Sequence, residues 1–435
     1  EKTMAEYLQE NGFNTYAVIA SYILHSKFGI NQGFKIYDDS LDTVKLDKTL
    51  KSEINAKSVF EKFDRWFKEN FNSKFFAWVH FYDPHTPYVP HEDPINKGKR
   101  DLIKLYDGEL KYTDKYVGEI INRLEEADVA DDTLIVIVGD HGEAFGEHTE
   151  YASHMVFCYE ANLKVPMIFY NKKLIKSGVV VKKRVSTVDI MPTIFDILNI
   201  PKDDSIQGVS FENTLKGEEL KSDRSVYIES MYGKEEMNWA PLTGIIDGDY
   251  KFISLPKPEL YNIKKDPLEK ENLYRKKGSL MREMDKELKN MILKLSGGGT
   301  NSKRELGKED IEHLKSLGYF SSSGSKGEKN IDPKEGIVFT TKLKNISMKI
   351  DSDELDNLEK ELLKMKESEI GSNNFLVFDY LYRLYLKKAN YSQAMDILKE
   401  ASNTLPNSIP FKTIYTIKLF DIKKYDEVIR NCFDI

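Results

Sequence analysis

The chain has 435 residues, 40% of them hydrophobic and 31% charged, which is the make-up of a folded protein with one large core domain and a smaller attachment, and excludes wholesale disorder. Its 64 basic and 71 acidic residues are mixed along the chain and sum to a net charge of -7, so there is no broad basic surface for a phosphate backbone and nucleic acid is not an expected partner. The two cysteines, Cys158 and Cys432, are too far apart in sequence to suggest a disulfide framework or a thiolate metal site and are expected to be buried thiols, while no run reaches the ~20 apolar residues of a membrane span and no signal peptide opens the chain.

An amphipathic helical pattern (Met4, Tyr7, Leu8) is under way at the first residues and closes at Asn11-Gly12; Ile435 lies inside another helical pattern, so the chain is expected to be an internal piece of a longer protein. Thr15 to Ala20 predicts a strand. A helix from Asn55 to Asn70 feeds a strand from Phe75 to Phe81, and a helix from Leu105 to Glu126 leads to the apolar run Thr133 to Val138, which predicts a strand covered on both faces. Val165 to Tyr170 is a further strand, and the alternation is the mark of layered α/β architecture.

Beyond residue 180, Val185 to Leu198 predicts a helix with Pro192 near its start, and Tyr227, Gly244 to Ile253 and Glu259 to Tyr261 supply short strands for a small appended sheet. Residues 296–335, rich in glycine and serine, read as a flexible linker around one short helix from Lys308 to Leu317. From about residue 336 the pattern is helical, and Asn390-Tyr391-Ser-Gln-Ala394 recurs as Lys424-Tyr425-Asp-Glu-Val428, an offset of 34 residues. That period matches tetratricopeptide repeats, whose helix pairs stack and often bind proteins; an irregular helical bundle is the alternative. Three units follow: 1–275 catalytic, 276–335 helix and linker, 336–435 helical repeats.

Six of the eight histidines, His80, His85, His91, His141, His148 and His154, fall between residues 80 and 154, which points towards a site. His91 and His148 are expected at the surface. The apolar strand ending at Val138 delivers Gly139-Asp140-His141-Gly142-Glu143, and ligands of open α/β sheets bind beyond the carboxyl ends of such strands. A carboxylate beside an imidazole is a sensible metal pair, and equally half of a catalytic dyad or an ordinary turn. The strand ending at Phe81 runs into Tyr82-Asp83-Pro84-His85-Thr86-Pro87, where two prolines restrict a loop carrying an acid and an imidazole. His85 could instead pack on Tyr82 or Tyr88. His154 lies in a polar stretch before the next strand, and His80 could simply occupy its strand.

Segments Phe76 to Tyr88, Tyr106-Asp-Gly-Glu109, Val138 to Glu143 with Gly146-Glu-His148, and Val165-Pro-Met-Ile168 resemble, in order, the signatures of the sulfatase family. Ser186 to Thr193, Ile206-Gln-Gly208, Trp239-Ala-Pro-Leu242, Asp247 to Lys251 and Glu259 to Pro267 resemble its closing subdomain. The resemblance implies an alkaline phosphatase-like central sheet flanked by helices, a small C-terminal sheet subdomain, and an all-α tail of helical repeats. It implies hydrolysis of a sulfate ester with a divalent metal, Ca2+ by family habit and Zn2+ or Mn2+ as alternatives, held in part by Asp140 and His141. His85 matches the histidine that contacts the sulfate or phosphate group, and His154 a histidine that in a related subgroup holds ester oxygens or a second metal.

The family carries its first two metal-binding aspartates and its Cys-x-Pro-x-Arg nucleophile upstream of the segments matched here; none of these is present, neither Cys158 nor Cys432 fits that motif, and this piece expressed alone is expected to be inactive. Where many arylsulfatases have Gly-Lys-Trp-His, this chain shows Ile19-Ala-Ser-Tyr22. A phosphodiesterase or phospho-transferase with a Thr or Ser nucleophile, and a non-catalytic scaffold that binds proteins through the repeats, are the competing readings. A periplasmic, extracellular or membrane-anchored location follows only from the resemblance.

Overall fold

The structure is a computed structural model that describes residues 2–41, 45–46, 49–50, 53–90, 101–219, 224–237, 239–295, 330–405 and 409–433. Helix α1, Met4–Glu10, opens with a capping box in which Thr3 and Glu6 satisfy each other's backbone N–H groups. It buries Tyr7 and Leu8, the periodic pair seen in the sequence. Strands β1, Asn14–Val18, and β2, Ile36–Asp38, follow, then α2, Ala56–Asn70, capped by the Asn55 side chain. Strand β3 spans Phe75–Val79 and pairs in parallel with β1, Asn14 facing Phe75 and Val18 facing Val79; β2 pairs in parallel on the other side of β1. Helix α2 turns Ala56, Val59, Phe63, Trp66 and Phe67 inward, and Trp66 stacks on Tyr16 of β1 with ring centroids 4.4 Å apart.

Helix α3, Leu102–Glu126, leads through a short 3-10 turn to β4, Ile135–Val138, and β4 pairs antiparallel with β5, Met167–Tyr170. This corrects the expectation of a strand covered on both faces: Val138 is 41% exposed, as are Ile168 and Tyr170 to a similar degree on β5. An apolar run signals a strand but not what covers it, and among the described residues β5 is the only strand hydrogen-bonded to β4. The β4–β5 pair still shares cores with the parallel sheet. Ile135 packs on the same core cluster as Ala77 and Val79, and Val136 on the same one as Phe76 and Phe169.

The helix expected over Val185 to Leu198 is shorter: a 3-10 turn at Thr187–Asp189 precedes α4, Ile190–Ile197. Asp189, 1% exposed, is committed instead to accepting from the Ser186 and Val209 N–H groups. A four-stranded antiparallel meander follows, β6 Val226–Ser230, β7 Leu242–Asp247, β8 Tyr250–Ser254 and β9 Glu259–Asn262. The stretch Gly244 to Ile253 is thus two strands, folded back at Gly248 with φ +50°. Helix α5, Gly278–Leu295, lays Met284 and Leu288 on one face of this sheet against Ile245, Phe252 and Leu260. The other face packs on Val156 to Tyr159, just beyond His154.

The short helix predicted at Lys308 to Leu317 lies outside the described residues, as does His91. The last region is entirely helical where described: α6 Pro333–Asp351, α7 Leu358–Lys366, α8 Phe375–Lys387, α9 Tyr391–Thr404, α10 Ile409–Asp421 and α11 Tyr425–Phe433. The α8–α9 and α10–α11 turns match at an offset of 34 residues. Ala389 and Lys423 both have positive φ, and Asn390 N–H to Tyr385 O matches Lys424 N–H to Leu419 O. This region docks on the small sheet through Ile331, Ile337 and Trp239, with an ion pair of 2.9 Å between Lys334 and Glu259. Cys158 is buried, but Cys432 is exposed, against expectation: α11 has no helix packed on that face among the described residues.

Candidate active site

The parallel pairing of β1 and β3 brings their carboxyl ends to one edge, and the site loops start there. The His80 N–H donates to Val18 O at 3.0 Å, and the Ala20 N–H donates to His80 Nδ1 at 3.1 Å. The proton of His80 therefore sits on Nε2. Burial pushes this imidazole down to about 4, against the pull of the Asp140 charge. His80 is thus a buried residue bonded to the end of β1, near enough to Asp140 to feel its charge.

His85 stacks on Tyr82 with centroids 4.4 Å apart, so the packing alternative is real, yet the ring also meets His154 edge-on at 5.4 Å. The Thr86 carbonyl lies 2.6 Å from Nδ1 and can only accept, so that nitrogen carries the proton and Nε2 presents a lone pair. Burial and the neighbouring histidines push His85 down to about 4, which keeps it neutral at physiological pH.

Beyond β4, the His141 N–H donates to Asp140 Oδ1 at 3.0 Å, and the Gly142 carbonyl accepts from His141 Nδ1 at 2.9 Å. Asp140 Oδ2 and His141 Nε2 then lie 3.7 Å apart, with the aspartate side chain 83% exposed. Two lone pairs at that separation suit one cation with bonds of about 2.0–2.4 Å. No set of three His, Cys, Asp or Glu side chains placed to hold a metal occurs among the described residues.

His154 lies against this pair. Its ring stacks on His141 at 3.7 Å and is 7% exposed, and its Nδ1 is 3.5 Å from Glu143 Oε1. Neither of its ring nitrogens, nor Glu143 Oε1, has a hydrogen-bond partner. Buried polar atoms without partners are costly, and the N–H of the His154 imidazole is free to donate to an acceptor brought in by a ligand. Glu143 itself is tied by the Tyr88 hydroxyl, which donates to Oε2 at 2.9 Å. Asp140, His141, His85 and His154 thus meet at one place. Glu143 and Tyr88 are not among the candidate site residues read from the sequence; nothing in their spacing shows that they meet.

His148 is not a bare surface residue: it stacks on Tyr159 at 3.6 Å, and the Leu268 carbonyl accepts from its Nε2 at 3.1 Å. Cys158 is no nucleophile, since burial pushes its thiol up to about 12. A hollow of about 350 Å³ between α2 and α3 is lined by Phe60, Glu119, Asn122, Arg123, Glu125 and Glu126, holds none of the histidines, and has its Arg123 paired to Asp64 and Glu126.

Residues 1–200 match the family model described as Sulfatase, and residues 146–297 match N-sulphoglucosamine sulphohydrolase, C-terminal. The chain is 30% identical to human arylsulfatase K over 203 residues, covering 44% of this chain and 37% of that protein. It is 27% identical to a Delta 4,5-hexuronate-2-O-sulfatase of Bacteroides thetaiotaomicron over 179 residues, 40% of this chain and 37% of that protein. The chain therefore spans less than half the length of these curated relatives. A solved 2-O GAG sulfatase superposes with TM-score 0.55 at 20% identity, over 74% of this chain and 80% of its own. These matches support the sulfatase family, and the structural likeness shows its alkaline phosphatase-like α/β fold.

Proposed function

We propose that this protein hydrolyses sulfate monoesters at the sheet edge where Asp140, His141, His85 and His154 meet. The observation that carries the reading is His154: a buried imidazole that makes no hydrogen bond, its Nδ1 3.5 Å from Glu143 Oε1, stacked on His141 and beside His85. Asp140 and His141 would hold part of the shell of a divalent ion, Ca2+ first and Zn2+ or Mn2+ as alternatives, which when bound draws negative charge from the ester oxygens. His154, itself only 7% exposed, can donate to those oxygens. His85, whose Nδ1 is fixed by the Thr86 carbonyl, can accept or return a proton as the ester bond breaks.

The helical region past residue 330 we take as tetratricopeptide-like pairs serving a protein partner. The support is the match of its last two turns at an offset of 34 residues.

The test is turnover of 4-nitrophenyl sulfate beside 4-nitrophenyl phosphate by purified protein that includes the nucleophile segment expected upstream of these residues, stripped by chelator and then resupplied with Ca2+, Zn2+ or Mn2+. Metal-dependent sulfate release that Asp140→Ala and His154→Ala abolish is expected. Preference for the phosphate ester would move the assignment to phosphoryl chemistry, and turnover insensitive to both substitutions would place the site elsewhere.

A further inference from the structure

His154 sits in a turn held by one carboxylate. Glu150 is 2% exposed, and all its partners are internal. Its Oε1 accepts from Ser153 Oγ at 3.0 Å, the Met155 N–H at 2.8 Å and the Val156 N–H at 2.9 Å. Its Oε2 accepts from Asn162 Nδ2 at 2.9 Å and, at the long limit of 3.4 Å, from the Phe157 N–H. Successive backbone N–H groups converging on an anion form a nest, and here the anion is the chain's own side chain. The Ser153 hydroxyl before His154 and the backbone N–H groups of residues 155–157 after it all donate to this carboxylate, so the turn that carries His154 is fixed from beneath.

The same carboxylate reaches the metal pair's loop. Asn162, which donates to Glu150, accepts through its carbonyl from the Gly142 N–H at 2.7 Å, and Gly142 follows His141 directly. The distance between the His154 ring and the His141 ring, 3.7 Å, is therefore set across Glu150 and Asn162. With its acceptors filled by internal donors, Glu150 has no capacity left for an ester or a cation.

We infer that Glu150 is a positioning residue of the ester site: its buried carboxylate sets where the His154 imidazole stands relative to Asp140 and His141, without touching substrate. This rests on the reading of His154 as an ester-contacting group. Replacing the carboxylate by an amide keeps its size but turns an NH2 group towards N–H donors, so the turn has to open and His154 has to move.

The experiment is a double-mutant cycle in the purified protein with 4-nitrophenyl sulfate, using Glu150→Gln, His154→Ala and the combination, with kcat and KM measured separately. Glu150→Gln is expected to lower kcat by roughly tenfold or more, as misplacement of a reacting group does, and KM by less. In the His154→Ala background the same change is expected to cost less than about twofold, because the group it positions is gone. An equal cost in both backgrounds would show a general role in folding and overturn the inference, as would an unchanged kcat in the native background. If Glu150→Gln fails to fold, Ser153→Ala removes one donor only and carries the same two outcomes with a smaller factor. A native protein without sulfate turnover would refute the functional reading instead. In that event the His154 ring signal in histidine-labelled protein, assigned by its loss in His154→Ala, decides on Glu150. Displacement of that signal by Glu150→Gln with the other histidines unmoved supports the positioning role, and an unmoved signal overturns it.

Discussion

Gly142→Ala should damage both stability and turnover, because Gly142 is where the metal pair's loop lies closest to a second piece of backbone. A Cβ at this position would stand 2.0 Å from the Ala161 carbonyl oxygen, 3.0 Å from its carbon and 3.3 Å from Asn162 Cα. Bringing the first contact out to even 3.0 Å means separating the two segments by about 1 Å, and the obstacle is main chain, which cannot rotate away. The Gly142 N–H to Asn162 O bond of 2.7 Å crosses the same gap and would be lost or stretched. Overpacking of this kind costs about 1–3 kcal/mol, and the hydrogen bond adds about 1 kcal/mol. A shift of about 1 Å at Asp140 and His141 should lower kcat on the order of 100-fold. Urea unfolding and 4-nitrophenyl sulfate turnover read the two effects. Gly139→Ala is the control in the same loop: its Cβ would meet Pro166 Cδ and Val165 Cβ at 3.3 Å, an overlap far smaller than the 2.0 Å contact at Gly142, so it should cost less than Gly142→Ala. If Gly142→Ala unfolds within about 0.5 kcal/mol of the native protein and keeps full turnover, the close approach of the two loops is wrong, and with it the way the site is held together.

His80, lowered to about 4 by burial, favours its neutral form when folded, so the stability it contributes is present above its unfolded value near 6.5 and is lost as pH falls from there towards 4. Urea unfolding at pH 7 and pH 5 should differ by a few kcal/mol, and His80→Asn should flatten that difference; an unchanged slope would remove His80 as its source. Lys251 is wholly buried between Glu269 and Glu160, each 2.7 Å away, so Lys251→Met should destabilise by about 3–5 kcal/mol, with Lys251→Met/Glu269→Gln recovering much of the loss in thermal melts. At Gly336 a Cβ would meet the Trp239 ring at 2.3 Å, so Gly336→Ala should loosen the helical region from the small sheet; limited proteolysis would show faster release of that region, and an unchanged cleavage pattern would contradict the contact.

Elements with a strong local cause were legible in the sequence. Asn55 ahead of a 3.6-period apolar stripe gave α2, and the 34-residue recurrence gave two helix pairs whose turns coincide bond for bond. The Asp247-Gly248 signal could have split Gly244 to Ile253 into a hairpin, since a tight turn there calls for positive φ, but the apolar pattern on both sides masked it. Candidate ligands were legible because chemistry restricts residue type: Asp140 and His141 at a strand end, and His85 in a proline-bounded loop, could be named without coordinates. What depends on distance across the chain was not. Exposure of Val138 on β4, the stacking of His154 on His141, and the tie from Tyr88 to Glu143 join residues separated in sequence, and no local preference encodes them. Periodicity and turn chemistry act over a few neighbouring residues, so the sequence by itself determined which elements form and which side chains could do chemistry. Only packing, which brings Glu150 and Asn162 beneath two loops and leaves a buried imidazole without partners, decided where those side chains meet.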